Sequence, residues 1–230
     1  MFFPERVRSI RPEHLVLEVG PGGTPHPRSD VLLEKRFSEK EAVGQRGNAP
    51  PLRTDKKIVY YDGGPFPFKE LEFDYVICSH VLEHLYSEEL ENFVEELQRV
   101  APQGYIEFPL IYYDYLFDFP QHVTLLFCNG KEIVYLPKSK LSIEEHKPIT
   151  GLFRSALERG YRFPIEELKD FFFQGFEWVR PIMIRRAHSL NELVFPETVS
   201  LPPLRTSDGH ISANTPSSLI TWIKRILGPF

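Results

Sequence analysis

Only two cysteines, Cys78 and Cys128, occur in the 230 residues, and they share no C-x-x-C spacing. Neither a disulfide framework nor a thiolate metal site can organise such a chain, and a reduced, cytoplasmic setting is expected. Positive charge is scarce as well: 27 Lys and Arg face 32 Asp and Glu, for a net charge of -5 and a pI near 5.9. Wrapping nucleic acid by phosphate neutralisation needs the opposite balance, so no nucleic-acid partner is expected. No apolar run approaches the roughly 18 residues that span a bilayer. The opening MFFPERVRSIRPEH lacks the apolar stretch of a secretory signal, which predicts a soluble or at most membrane-peripheral protein. No internal repeat is present.

What the chain does have is a series of short apolar runs that end in polar or glycine-rich turns. Strands are expected at about His14 to Val19, Val31 to Glu34, Lys57 to Tyr61, Tyr75 to Ser79 and Tyr105 to Phe108. Pro25 and Pro27 argue against a helix between the first two. The stretch from Ser38 to Lys57 reads as a helical turn and a loop. A helix capped by Ser87 follows the fourth strand, with acids Glu88 to Glu91 at its positive end and Leu90, Phe93, Val94 and Leu97 as its apolar stripe. Asn129-Gly130, set between VTLLFC and EIVYL, predicts a β-hairpin. Residues 139 to 195 read as helical, with Phe171, Phe172, Phe173, Phe176 and Trp178 packed on the core. Residues 196 to 216 read as an extended linker and 217 to 230 as an amphipathic helix. The alternation predicts an α/β fold with a mostly parallel sheet, whose ligands bind at the C-terminal ends of the strands.

Val16 to Gly23 (VLEVGPGG) resembles motif I of the class I S-adenosylmethionine-dependent methyltransferases, and Phe73 to Leu85 (FDYVICSHVLEHL) resembles the segment around their fourth strand. Glu34 after the second strand, Asp62 after the third, and Pro65-Phe66-Pro67-Phe68 stand in the same order. The resemblance covers about residues 14 to 109 and points to the small-molecule, type 11-like branch. It implies a Rossmann-like sheet for a domain spanning residues 1 to 195, with a core at about 14 to 138 and helical additions at 139 to 195. The cofactor it implies is S-adenosylmethionine. Backbone at Gly20 and Gly22 would approach the methionyl and ribose parts, and Glu18 would attract the ammonium group. Glu34 would accept from both ribose hydroxyls, since a carboxylate offers two acceptor oxygens. Asp62 and Gly63 would meet adenine, and Ser79 and His80 the methionine end. Thr24-Pro25-His26-Pro27 departs from the family's usual third glycine and helix, which implies a shorter cofactor loop.

Methyl transfer needs a base only when the acceptor must lose a proton. His122 is the candidate, with Asp114 and Asp118 behind it, and Tyr112, Tyr113 and Tyr115 are candidate pocket residues. His80-Val81-Leu82-Glu83-His84 has the spacing of an inverted zinc-peptidase motif, but no third ligand is identifiable, so no metal is expected. The absence of a basic patch points to methylation of a small-molecule or glycan-type acceptor. The alternatives are a non-catalytic cofactor-binding or partner subunit and, less well matched, a dinucleotide-dependent oxidoreductase. Residues 217 to 227, with Trp222 flanked by Lys224 and Arg225, suit a homodimer partner or a membrane surface.

Overall fold

The computed structural model describes residues 1–37, 52, 54–140, 147–161 and 163–194. The chain divides into two compact units, Met1–Val194 and Phe195–Phe230, and the second lies outside the described residues together with the expected linker and amphipathic helix. Most of the turn and loop expected from Ser38 onward lies outside them too.

In chain order the strands are β1 Val16–Val19, β2 Val31–Lys35, β3 Lys57–Tyr61, β4 Tyr75–Ser79, β5 Gln103–Pro109, β6 Thr124–Cys128, β7 Glu132–Pro137, β8 Phe173–Val179 and β9 Met183–Arg186. The α-helices are α1 Ser87–Val100, α2 Ile111–Phe117, α3 Lys147–Glu158, α4 Phe163–Glu167 and α5 Lys169–Phe172. Six strands form one sheet in the order β3-β2-β1-β4-β5-β8, and β6-β7-β9 form a second. Strands β1 to β5 are all parallel, while β8 runs antiparallel to β5 from Gln103↔Val179 to Pro109↔Phe173. This is the Rossmann-like order, with its switch point between β1 and β4.

Buried parallel strands read as continuous apolar runs because both faces are covered. Accordingly Val16, Leu17, Leu32, Leu33, Tyr75, Val76, Ile77, Tyr105 and Ile106 are all sealed from solvent. Helix α1 covers the sheet with Leu90, Phe93, Val94, Leu97 and Val100. Burying each such side chain contributes about 1.5–3 kcal/mol. Its first residue is Ser87, with Tyr86 as N-cap and the Tyr86 N–H donating to Glu89 at 3.3 Å, one residue earlier than the sequence suggested. Residues 20–30 contain no helix, as Pro25 and Pro27 require. The hairpin turns at Asn129-Gly130, where Gly130 takes φ +88° and Asn129 Oδ1 accepts from Lys131 and Glu132 N–H.

The expectation of a helical stretch over 139 to 195 holds only in part. Phe173–Val179 is the antiparallel edge strand of the main sheet, and Met183–Arg186 pairs parallel to β7. Gly175 makes this pairing possible: a Cβ there would stand 2.1 Å from the Tyr105 hydroxyl. From Phe173 on, the Phe–Trp run is therefore a strand with Phe173 and Trp178 buried, and the helical reading is corrected there, whereas Phe171 and Phe172 do lie in helix α5.

Candidate functional site

The site begins where β1 and β4 end, on either side of the switch point, where strand ends diverge and leave a crevice. After β1, Gly20 takes φ +63° and Gly22 φ +61°, a left-handed conformation that glycine adopts without strain. The Gly20 N–H donates to the Leu33 carbonyl at 2.9 Å, which pins the turn against β2. A Cβ on Gly20 would collide with Val81 Cγ2 at 2.6 Å, whereas one on Gly22 would meet nothing within 4 Å. Gly20 is thus required by packing, and Gly22 presents bare backbone to open space. One cavity is lined by Gly20, Gly22, Glu34, Tyr61, His80 and His84, among others.

Four of the sequence-predicted cofactor residues, Gly20, Gly22, Glu34 and His80, therefore share this cavity. The others are placed differently. Glu18 is buried beneath the loop, where its Oε2 accepts from Ser29 Oγ at 2.6 Å and His26 N–H at 2.8 Å, and burial pushes its carboxyl up. It ties the residue 20–30 loop to β1. Asp62 is exposed and paired with Arg36 at 3.0 Å, and the Lys35 side chain lies 3.6 Å from where a Cβ on Gly63 would stand. Ser79 Oγ donates to Glu107 Oε1 at 3.2 Å.

Glu107, which the sequence reading passed over, is the hub of the strand ends. It is sealed from solvent on β5, and its Oε1 accepts from Phe2 N–H at 2.6 Å, His80 Nε2 at 2.9 Å and Ser79. Its Oε2 accepts from Tyr105 Oη at 2.6 Å and Phe3 N–H at 3.0 Å. Burial opposes the charge, but hydrogen bonds from His80, Tyr105 and Phe2 outweigh it and hold the carboxyl at about 2. A charged residue inside the apolar run Tyr105-Ile106-Glu107-Phe108 was the available signal, because an acid in a doubly covered strand must be paired.

His80 sits at φ +58° with Nδ1 3.1 Å from Glu83 and Nε2 2.9 Å from Glu107. Two carboxylate partners require both nitrogens to donate, so the ring is an imidazolium. Burial pushes it down, but the two carboxylates prevail and raise it to about 9. Phe2 and Phe173 pack edge-on against the ring at 5.5 and 5.4 Å between centroids. The chain's N-terminal residues thus close over the strand ends.

The candidate base His122 stands beside this network. Its Nδ1 lies 2.9 Å from Asp114 Oδ1, Asp114 also receives Lys138 Nζ at 3.2 Å, and the rings of His122 and His84 meet edge-on at 5.1 Å. Burial pushes the His84 imidazole down and keeps it neutral. Tyr113 stacks on Phe119 at 5.4 Å, and it packs with Tyr112 against a cluster around Phe117 and Phe172, so these two tyrosines serve packing; Tyr115 is exposed. Among the described residues no helix is long and apolar enough to cross a membrane.

S-adenosylmethionine, which the resemblance implies, suits these residues: bare backbone at Gly22 admits close approach, and Glu34 is a buried carboxylate on the cavity wall at a strand end. The family model described as a methyltransferase domain matches residues 36–108, less than half of the chain. No curated protein matches the chain in sequence. Among solved structures, a S-adenosylmethionine-dependent methyltransferase from Mesorhizobium loti aligns at 12% identity and TM-score 0.39, over 73% of this chain and 91% of its own. The PH0226 protein from Pyrococcus horikoshii aligns at 16% identity and TM-score 0.36, over 63% of this chain and 74% of its own. For the YcgJ protein from Bacillus subtilis the values are 16%, 0.35, 50% and 56%, so the chain spans little more than half of that protein.

Proposed function

We propose that this chain is a class I methyltransferase that transfers the methyl group of S-adenosylmethionine to a small-molecule or glycan-type acceptor, a reading supported by the sheet order and by the match over residues 36–108. The observation that carries the reading is the convergence of Gly20, Gly22, Glu34 and His80 on one cavity at the switch point. In this reading Gly22 backbone and His80 hold the methionyl end and Glu34 accepts from the ribose hydroxyls. Asp62 and Gly63 meet the adenine, Asp62 exchanging its Arg36 partner, while Glu18 and Ser79 act from behind by holding the loop and the β4 end. The bound cofactor supplies a sulfonium-activated methyl, so the protein's share is alignment and exclusion of water. His122, oriented by Asp114, is the group placed to accept a proton from the acceptor.

Calorimetry with S-adenosylmethionine and S-adenosylhomocysteine tests this directly. Losing a charged hydrogen-bonding partner costs about 1.5–3 kcal/mol, so Glu34→Ala should weaken cofactor binding roughly 10- to 150-fold while the circular dichroism spectrum is kept. Wild-type affinity in that variant, or a thermal shift with NAD rather than with either of the two ligands, sinks the reading.

A further inference from the structure

Three side chains with metal-ligand atoms meet at the edge of the cavity. Glu83, His84 and His122 each bring one ligand-type atom to within 4.8 Å of the others. The remaining atoms of these side chains show which ones are free. Glu83 Oε1 accepts from His80, and Oε2 is buried with no hydrogen-bond partner in a residue sealed from solvent. His84 Nδ1 lies 3.0 Å from the Gln121 carbonyl oxygen, which can only accept, so Nδ1 carries the hydrogen and Nε2 the lone pair. His122 Nδ1 lies 2.9 and 3.1 Å from the two Asp114 oxygens and so carries a hydrogen, which leaves Nε2 as the ring atom available to a ligand. A carboxylate oxygen with no partner and two imidazole nitrogens gathered this closely are the ligand types that a cation draws together.

We propose that Glu83, His84 and His122 form a binding site for a divalent transition-metal cation. Two imidazoles and one carboxylate are a borderline-soft donor set that leaves coordination positions open, as in hydrolytic zinc sites. Ligand atoms about 2.0–2.2 Å from a tetrahedral ion stand about 3.4 Å from one another, so modest side-chain shifts close the observed spacing. The supporting contacts are already present: the Gln121 carbonyl behind His84, Asp114 with Lys138 behind His122, and His80 behind Glu83. Such outer partners fix ring orientation and tautomer. The sequence showed two of these groups in His80-x-x-Glu83-His84 but hid the third, because His122 is brought in by the fold, where Val123 N–H bonds the Glu83 carbonyl at 2.8 Å.

His84 belongs both to this triad and to the cavity wall, so an ion here borders the cavity. Resting on the methyl-transfer reading, its open positions suit an oxygen of the acceptor, which narrows that acceptor to a hydroxyl-bearing molecule. Nε2 of His122 cannot serve both a proton and a cation, so this assignment replaces its role as base.

The test is metal binding by the full-length chain, stripped with a chelator and titrated calorimetrically with zinc chloride or manganese chloride alone. One ion per chain is expected. His84→Ala and His122→Ala should each abolish measurable binding, and Asp114→Asn should weaken it about 10- to 100-fold with all three ligands intact. Failure of both metals to bind the wild type, or unchanged affinity in both histidine variants, overturns the proposal. Circular dichroism confirms folding, with His122→Gln as the substitute if His122→Ala unfolds. Titrating S-adenosylmethionine separates the two readings: in His122→Ala, cofactor binding retained with metal binding lost supports the metal site, whereas a wild-type chain that binds the metal but no S-adenosylmethionine fails only the methyl-transfer reading.

Discussion

Removing the Glu107 carboxylate should damage this fold more than any single contact at the cavity suggests. Both oxygens accept only: Oε1 from Phe2 N–H, His80 and Ser79, Oε2 from Phe3 N–H and Tyr105. After Glu107→Ala, His80 keeps Glu83 and Tyr105 Oη keeps only the Phe3 carbonyl at 3.4 Å, while the Phe2 and Phe3 N–H groups are stranded. Breaking a buried charge pair costs about 3–5 kcal/mol, and stranded donors lie within that range. At about 2–4 °C per kcal/mol for a domain of this size, the melting temperature should fall by about 6–20 °C. Glu107→Gln is the sharper probe. Its amide NH2 must replace one acceptor oxygen and so face donors on either side, which makes the near-isosteric variant destabilising too. Thermal unfolding followed by circular dichroism gives the magnitude, and hydrogen exchange at the Phe3 amide reports release of the N-terminal residues. A fall of less than about 2 °C for Glu107→Ala, or a Gln variant as stable as wild type, refutes the hub.

The same carboxylate sets an acid limit. Because its folded value is depressed from 4.5 to about 2, the stability it contributes is present above pH 4.5 and is lost as pH falls from there toward 2. Urea unfolding across that window should therefore be steeper in pH for wild type than for Glu107→Ala, and equal slopes contradict the assignment. At the glycine turn, Gly20→Ala should lose both stability and S-adenosylmethionine affinity, since its Cβ meets Val81 at 2.6 Å. Gly22→Ala, with φ +61° but open space, should cost only about 1–2 kcal/mol of left-handed strain in stability and still weaken cofactor binding; unchanged calorimetric affinity would separate Gly22 from the cofactor.

The inner parallel strands were legible because a strand covered on both faces reads as an apolar run that ends in a turn, and the half-exposed edge strand β3 from its short Ile-Val-Tyr-Tyr run before Asp62-Gly63. Lys57–Tyr61 and Tyr75–Ser79 fall where their apolar runs predicted, and the Asn129-Gly130 hairpin follows from turn chemistry alone. Strand β8 was not legible: seven residues rich in Phe carry no period that separates a buried strand from a helix, and its identity comes from pairing with β5 across more than sixty residues of chain. The site divides in the same way. Gly20, Gly22 and Glu34 announce themselves as local turn and strand-end chemistry, whereas Glu107 and the His122 contact with His84 depend on distant segments arriving together.

Those distant arrivals form one electrostatic chain across the strand ends. Glu107, His80 and Glu83 are linked in series, and Asp114 ties Lys138 to His122 alongside. Three buried carboxylates, Glu107, Glu83 and Asp114, face three cations there: His80, Lys138 and the Met1 ammonium 3.9 Å from Glu107 Oε1. Asp118, a quarter exposed, also contacts Lys138 at 3.0 Å and tips the balance to the negative side. A buried pocket edge with surplus negative charge is costly unless a cation completes it, because buried charge is tolerated only when paired. If both proposals hold, the sulfonium of a methyl donor in the cavity and a divalent ion among Glu83, His84 and His122 would answer the same charge from two sides. Binding of either should then tighten binding of the other only if their charges do not compete, and so the sign of the coupling reports which of them neutralises Glu83.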